Sequence, residues 1–115
     1  MAKLLSDNSV EFSAADILQA WENAPILINK EPELVRMCYI CKFHMLQEKF
    51  NHQEIGELGW VIDLINAKKP ELISSNFVAI HPYCLEYKAK SDNSKVLKKI
   101  KSQIWKFDEE AFKEQ

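Results

Sequence analysis

The sequence predicts an all-α fold, a compact single-domain bundle of about five to six helices, and three observations carry that expectation. Only two glycines and four prolines occur in 115 residues, whereas an all-β domain needs a turn signal about every 8–12 residues. Hydrophobic residues at 47% and charged residues at 28% provide material for a core, and the net charge is too small for a disordered chain. Capping residues and prolines precede stretches whose apolar side chains recur at three- and four-residue steps, the period of a helix with one buried face. A chain of this length supports one core, so residues 1–115 are expected to form one domain.

Residues 1–12 show no sustained period and are expected to fray, with Leu4, Leu5, Val10 and Phe12 as anchors. Ser13 followed by Asp16 is a helix-start signal, because the serine oxygen accepts a first-turn N–H and the carboxylate suits the helix dipole. A helix is predicted over residues 14–23, burying Ile17, Leu18 and Trp21 and stopping before Pro25. Pro32 can open a second helix. Leu34, Met37, Cys38, Cys41 and Met45 form its stripe, and Val35, Tyr39, Ile40, Phe43, Leu46 and Phe50 make it apolar nearly all round. It is expected to be the central element, with Arg36, His44, Gln47 and Lys49 toward water.

Asn51 and Glu54 form a capping pair for a third helix over residues 52–67. Its glycines, Gly56 and Gly59, are one turn apart and suggest a close helix crossing. Pro70 repeats the role of Pro32 for a helix over residues 71–80, interrupted at Ser74-Ser75-Asn76. Phe77-Val78-Ala79-Ile80 has the alternative reading of a short buried strand, because four apolar residues do not fix the period. A short helix over residues 83–90 follows, then a last substantial one from the cap Ser94 through Lys106. Asp108 can cap a final turn over residues 109–112.

All three cysteines fall into two spaced pairs: Cys38 and Cys41 as C-x-x-C, and His81 and Cys84 as H-x-x-C. Three thiolates and one imidazole are a complete tetrahedral zinc set, and His44 can stand in for His81. The opposing reading is that Cys38 and Cys41 are small apolar residues of the central helix. The bulky Tyr39-Ile40 between them lacks the turn formers of a zinc knuckle, so the sequence favours packing, with zinc as the lesser expectation. A redox role is disfavoured, because a reactive C-x-x-C normally stands at a helix start.

The net charge of −2 conceals an asymmetry. Residues 1–34 carry a balance of −4 and residues 88–106 a balance of +6. On the last helix Val96, Leu97, Ile100 and Ile104 define an apolar face, and Lys95, Lys98, Lys99 and Lys101 are the candidate partner-binding residues. A merely solvated lysine face is the alternative. The single arginine, Arg36, argues against sequence-specific DNA reading. Trp21, Trp60 and Trp105 read as core anchors, one to a helix.

The sequence contains no glycine-rich phosphate loop, no G-x-S-x-G elbow and no H-E-x-x-H helix. Cys84 with His81 or His44 could form a thiol and base pair, but no orienting carboxylate or oxyanion hole is visible. The chain is therefore expected not to be an enzyme. The favoured function is a protein-binding module, such as an inhibitor, immunity protein or adaptor that engages a larger protein partner. Nucleic-acid binding through residues 94–106 is the alternative, and a small zinc-stabilised domain is the second alternative. A homo-oligomer is compatible with the two charged ends. No apolar run reaches the ~20 residues of a membrane span, and free cysteines suit a reducing compartment, so a cytoplasmic location is expected.

Overall fold

The computed structural model describes residues 3–4, 10–51, 58–86 and 91–106, and it overturns the all-α bundle. Among the described residues there are two α-helices and three two-stranded antiparallel sheets. The first sheet pairs β1 (Lys3–Leu4) with β2 (Val10–Glu11), within the segment expected to fray. The second pairs β3 (Val35–Met37) with β4 (His44–Leu46), and the third pairs β5 (Val61–Leu64) with β6 (Phe77–Ile80).

The first helix, α1 (Ala14–Glu22), begins where the sequence placed it. Its capping box is closed by Ser13 Oγ, which accepts from the Asp16 N–H at 3.2 Å, and by Asp16 Oδ2, which accepts from the Ser13 N–H at 3.1 Å. Replacing Ser13 with alanine is expected to lower stability by about 1 kcal/mol, read as a shift in the denaturant midpoint at unchanged m-value. The buried residues are Asp16, Ala20 and Trp21; Trp21 is buried as expected and Ile17 packs half-buried against the core, but Leu18 is exposed. Arg36, expected in water, holds the far end of α1: its guanidinium donates to the carbonyls of Glu22 and Ala24 at 2.8 and 3.0 Å, and of Pro32 at 2.9 Å. A cation at a helix C-terminus satisfies carbonyls that have no partner inside the helix.

The predicted central helix is instead the β3–β4 hairpin. An apolar pattern that runs all round a cylinder is also the pattern of short strands covered on both faces, and periodicity cannot separate the two. What decides here is the backbone at Lys42, whose φ of 61° no α-helix accommodates. The predicted third helix fails for the same reason. Asn51 has φ 66° and Leu58 φ 58°, whereas an N-cap takes extended backbone. Residues 52–57, including Gly56, lie outside the described residues, so the expected glycine crossing is not represented; Gly59 is buried just before β5.

Phe77–Ile80 adopts the strand alternative, following a single 3-10 turn at Ser74–Asn76. Its pairing runs from Val61 opposite Ile80 to Leu64 opposite Phe77. All four β6 residues are buried because α1 and β5 both pack against it. The predicted helix at residues 83–90 is a 3-10 turn at Pro82–Glu86, and residues 87–90 lie outside the described set, as does the predicted turn at 109–112. The last helix, α2 (Ser94–Lys101), ends five residues earlier than expected. Its cap residue is Asn93, and Asp92 Oδ1 accepts from the Ser94 N–H and hydroxyl at 3.0 and 2.6 Å.

One continuous core joins these pieces. Trp21 and Trp60 meet at 5.2 Å between ring centroids, Phe50 packs on Trp60 at 4.7 Å, and Phe12 meets Phe77 edge-on at 5.1 Å. The β5–β6 connection is clamped by Asn76, whose amide oxygen accepts from the Asn66 N–H at 2.9 Å while its NH2 donates to the Glu71 carbonyl at 3.1 Å. Asn93 N–H donates to the Ile65 carbonyl at 2.9 Å, which docks α2 beside the same connection. No helix among the described residues is long and apolar enough to cross a membrane.

Candidate metal centre

The two spaced pairs, 40 residues apart in sequence between Cys41 and His81, converge where the β3–β4 hairpin turns and β6 ends. Between β3 and β4 the chain reverses over residues 38–43. Cys38 N–H donates to the Phe43 carbonyl and Lys42 N–H to the Cys38 carbonyl, both at 2.9 Å. Lys42 takes the left-handed conformation that glycine usually occupies, at a cost of about 1 kcal/mol. The tight backbone aims two N–H groups at sulfur: Cys41 N–H at Cys38 Sγ, and Phe43 N–H at Cys41 Sγ. The knuckle that Tyr39-Ile40 seemed to forbid is therefore present, with the turn chemistry carried by the two residues after Cys41.

The second pair is set by β6 and the turn that follows. Strand hydrogen bonding ends at Ile80, and Pro82, which has no N–H to satisfy, opens the 3-10 turn. Cys84 N–H donates to the His81 carbonyl at 3.0 Å, which folds the H-x-x-C pair back on itself. His81 is fully buried, and its Nε2 donates to the His44 carbonyl at 2.8 Å. That bond fixes the proton on Nε2 and leaves the Nδ1 lone pair facing Cys41 Sγ, 3.1 Å away. Tyr83 stacks on the imidazole, centroids 5.0 Å apart and 10° from parallel.

Cys38, Cys41, His81 and Cys84 thus form one compact potential metal-binding cluster, with their four donor atoms all within 4.8 Å of one another. Cys38 Sγ lies 3.8 Å from Cys84 Sγ. Zinc bonded to two sulfurs at about 2.3 Å in a tetrahedron separates them by about 3.8 Å, so that edge is already at its liganded length. Four donors this close enclose room for one ion, not for an iron–sulfur core with several irons and bridging sulfides. Three sulfurs and an imidazole favour zinc among common ions, and calcium and magnesium require oxygen donors.

The electrostatics of the bare cluster are those of crowded thiols. Contacts with Cys41 and then Cys84, opposed by burial, drive Cys38 strongly toward its thiolate. The same contact with Cys38, followed by burial, holds Cys41 and Cys84 well above the ordinary thiol range. One negative charge is tolerated and three are not, which is the situation a bound dication resolves. Burial, then the neighbouring sulfurs beginning with Cys41, pushes the Tyr83 phenol up to about 12. His44, the substitute ligand in the sequence reading, contributes its carbonyl and not its ring; burial, then His81 and Lys30, lowers its imidazole to about 4.

Sequence reasoning brought the right four residues together but missed three that shape the site. Tyr83 and the Phe43 N–H carry no motif, and Lys42 gives no sign of its positive φ. The only legible hint was His81-Pro82, a strand end followed by a turn-opening proline. The four lysines predicted to bind a partner, Lys95, Lys98, Lys99 and Lys101, are all exposed on α2. Comparison with protein-family models, with curated proteins and with solved structures finds no match to this chain.

Proposed function

We propose that this chain is a small zinc-stabilised recognition module, non-catalytic, in which Zn2+ at Cys38, Cys41, His81 and Cys84 holds the framework and charged surfaces engage a larger protein partner. The observation that carries this reading is the convergence of four soft donors from two distant segments within 4.8 Å. Four protein ligands leave no open coordination position, which is the pattern of structural and not catalytic zinc. The ion ties the β3–β4 hairpin to the end of β6, and its binding free energy becomes folding free energy. Protein purified without chelator is expected to hold about one zinc per chain. Absence of near-stoichiometric zinc, with no thermal shift when zinc is added, overturns the reading.

Recognition is assigned to α2. Lys101, Lys98, Lys95 and Lys99 occupy an arc of about 160° on the helix, opposite the buried Leu97 and Ile100. Lys98 and Lys101 border a depression of about 490 Å³ shared with Asn23, Asn66, Asn76 and Asp92, so the basic face is partly concave. Replacing all four lysines with glutamate is expected to abolish capture of an acidic partner at low salt in protein that circular dichroism shows to be folded, with a stability cost of about 1–3 kcal/mol because Lys98, Lys99 and Lys101 lie in the last turn, where anions oppose the helix dipole. Unchanged capture excludes this face. The continuous lysine arc also supports a second reading, nucleic-acid binding, which predicts a steep fall of affinity for random-sequence RNA or DNA as salt rises.

A further inference from the structure

The four ligands of the cluster are not equivalent. Cys38, His81 and Cys84 are 0%, 0% and 2% exposed, while Cys41 is exposed to solvent. From this asymmetry, and resting on the zinc reading above, we infer that Cys41 is a modification site: a zinc-activated thiolate that hydroperoxides oxidise, with release of the ion.

The chemistry follows from the ligand set. Three thiolates and a neutral imidazole on Zn2+ leave the centre with a net charge of −1, so the sulfurs keep nucleophilic electron density that a cation at a two-thiolate site would neutralise. A thiolate reacts with peroxide in proportion to its accessibility as well as its charge. Three of the donors are closed off by the core, whereas Cys41 is exposed. An incoming hydroperoxide therefore meets one reachable sulfur.

The electrons balance in two steps. Cys41 sulfur attacks one oxygen of hydrogen peroxide, an S–O bond forms as the O–O bond breaks, and the departing hydroxide takes a proton from water. The thiolate of Cys38 or Cys84, each with its Sγ within 4.8 Å of Cys41 Sγ, then attacks the sulfenic sulfur. An S–S bond forms and a second hydroxide leaves and is protonated. Two thiolates are oxidised, one peroxide and two protons become two waters, and zinc, left with one thiolate and His81 as ligands, departs.

The test uses the full chain with its zinc content measured first, so that failure of the zinc reading is seen before any oxidant is added. Zinc-loaded protein is then treated with hydrogen peroxide while a chromogenic chelator reports free zinc and peptide mass spectrometry locates the oxidised sulfur. The expected result is sulfenic acid, captured by a dimedone trap, at Cys41 at least about tenfold ahead of the other two cysteines, zinc release in step with it, and, without the trap, a disulfide from Cys41 to Cys38 or Cys84 as product. Stoichiometric zinc that stays bound under peroxide, or first oxidation at Cys38 or Cys84, overturns the inference and leaves the zinc site standing. Protein without zinc removes both.

Discussion

Replacing Cys84 with serine is expected to lower the thermal midpoint by about 15–20 °C, corresponding to about 4 kcal/mol in a domain of this size. Cys84 is 2% exposed and its sulfur is one end of the edge already at liganded length. A serine hydroxyl is a poor zinc ligand, so the variant loses the ion and with it the tie between the hairpin turn and β6. A packing effect alone is separable from this, because wild-type protein stripped by a strong chelator should then melt near the variant, and the variant should no longer respond to the chelator. A wild type whose midpoint is indifferent to chelation, beside a variant that melts low, would assign Cys84 to packing. The same comparison with His81→Asn should give the same signature, since His81 is the only nitrogen in the set.

Trp60→Ala is expected to cost about 3–5 kcal/mol, a large share of the 5–15 kcal/mol that typically separates folded from unfolded domains. Trp60 is wholly buried between Trp21 and Phe50, and its Nε1 donates to the Gln47 carbonyl at 3.0 Å. The truncation therefore opens a cavity at the centre of the aromatic cluster and leaves a carbonyl short of its donor, and these costs add. Trp60→Phe keeps most of the volume and loses the hydrogen bond, so it should fall between the two. Urea unfolding followed by far-ultraviolet circular dichroism gives the order wild type, Phe, Ala; an alanine variant within about 1 kcal/mol of wild type would show that this cluster does not hold the core.

What was legible in the sequence depended on how local its cause is. The start of α1 was readable because a capping box is made of residues three apart, Ser13 and Asp16, with no help from the rest of the fold. The β3 and β4 strands were not readable, because the burial of Val35–Met37 and His44–Leu46 is set by partners that the local pattern does not contain, whereas Phe77–Ile80, buried throughout, was open to a strand reading as well as a helical one. A helix and a doubly covered strand then present the same apolar run. Scarcity of glycine was misleading for a specific reason: Lys42, Asn51 and Leu58 occupy the positive-φ positions where glycine would have announced a turn. The metal cluster sat between these extremes. Its residue types and pair spacings are local and were read correctly, whereas the turn that makes Cys38 and Cys41 converge depends on Lys42 and on the β3–β4 pairing. Weighing the cysteines as helix packing followed directly from the mistaken helix.

The basic helix shows the same division. The positions of Lys95, Lys98, Lys99 and Lys101 on an exposed face follow from helical period alone, and Leu97 and Ile100 are buried as the stripe required. Its length was overestimated because Ile104 and Trp105 continue the apolar pattern past the end. In the structure Trp105 turns back, its Nε1 donating to the Ile100 carbonyl at 2.8 Å, and Ile104 is left exposed.

Zinc-edge X-ray absorption on protein purified from cells without added metal reads the ligand set itself. Zinc held by Cys38, Cys41, His81 and Cys84 gives three sulfur neighbours at about 2.3 Å and one imidazole nitrogen at about 2.0 Å, lost together in the Cys84→Ser variant. A zinc environment made mainly of oxygen neighbours, or one unaltered in that variant, would contradict that ligand set.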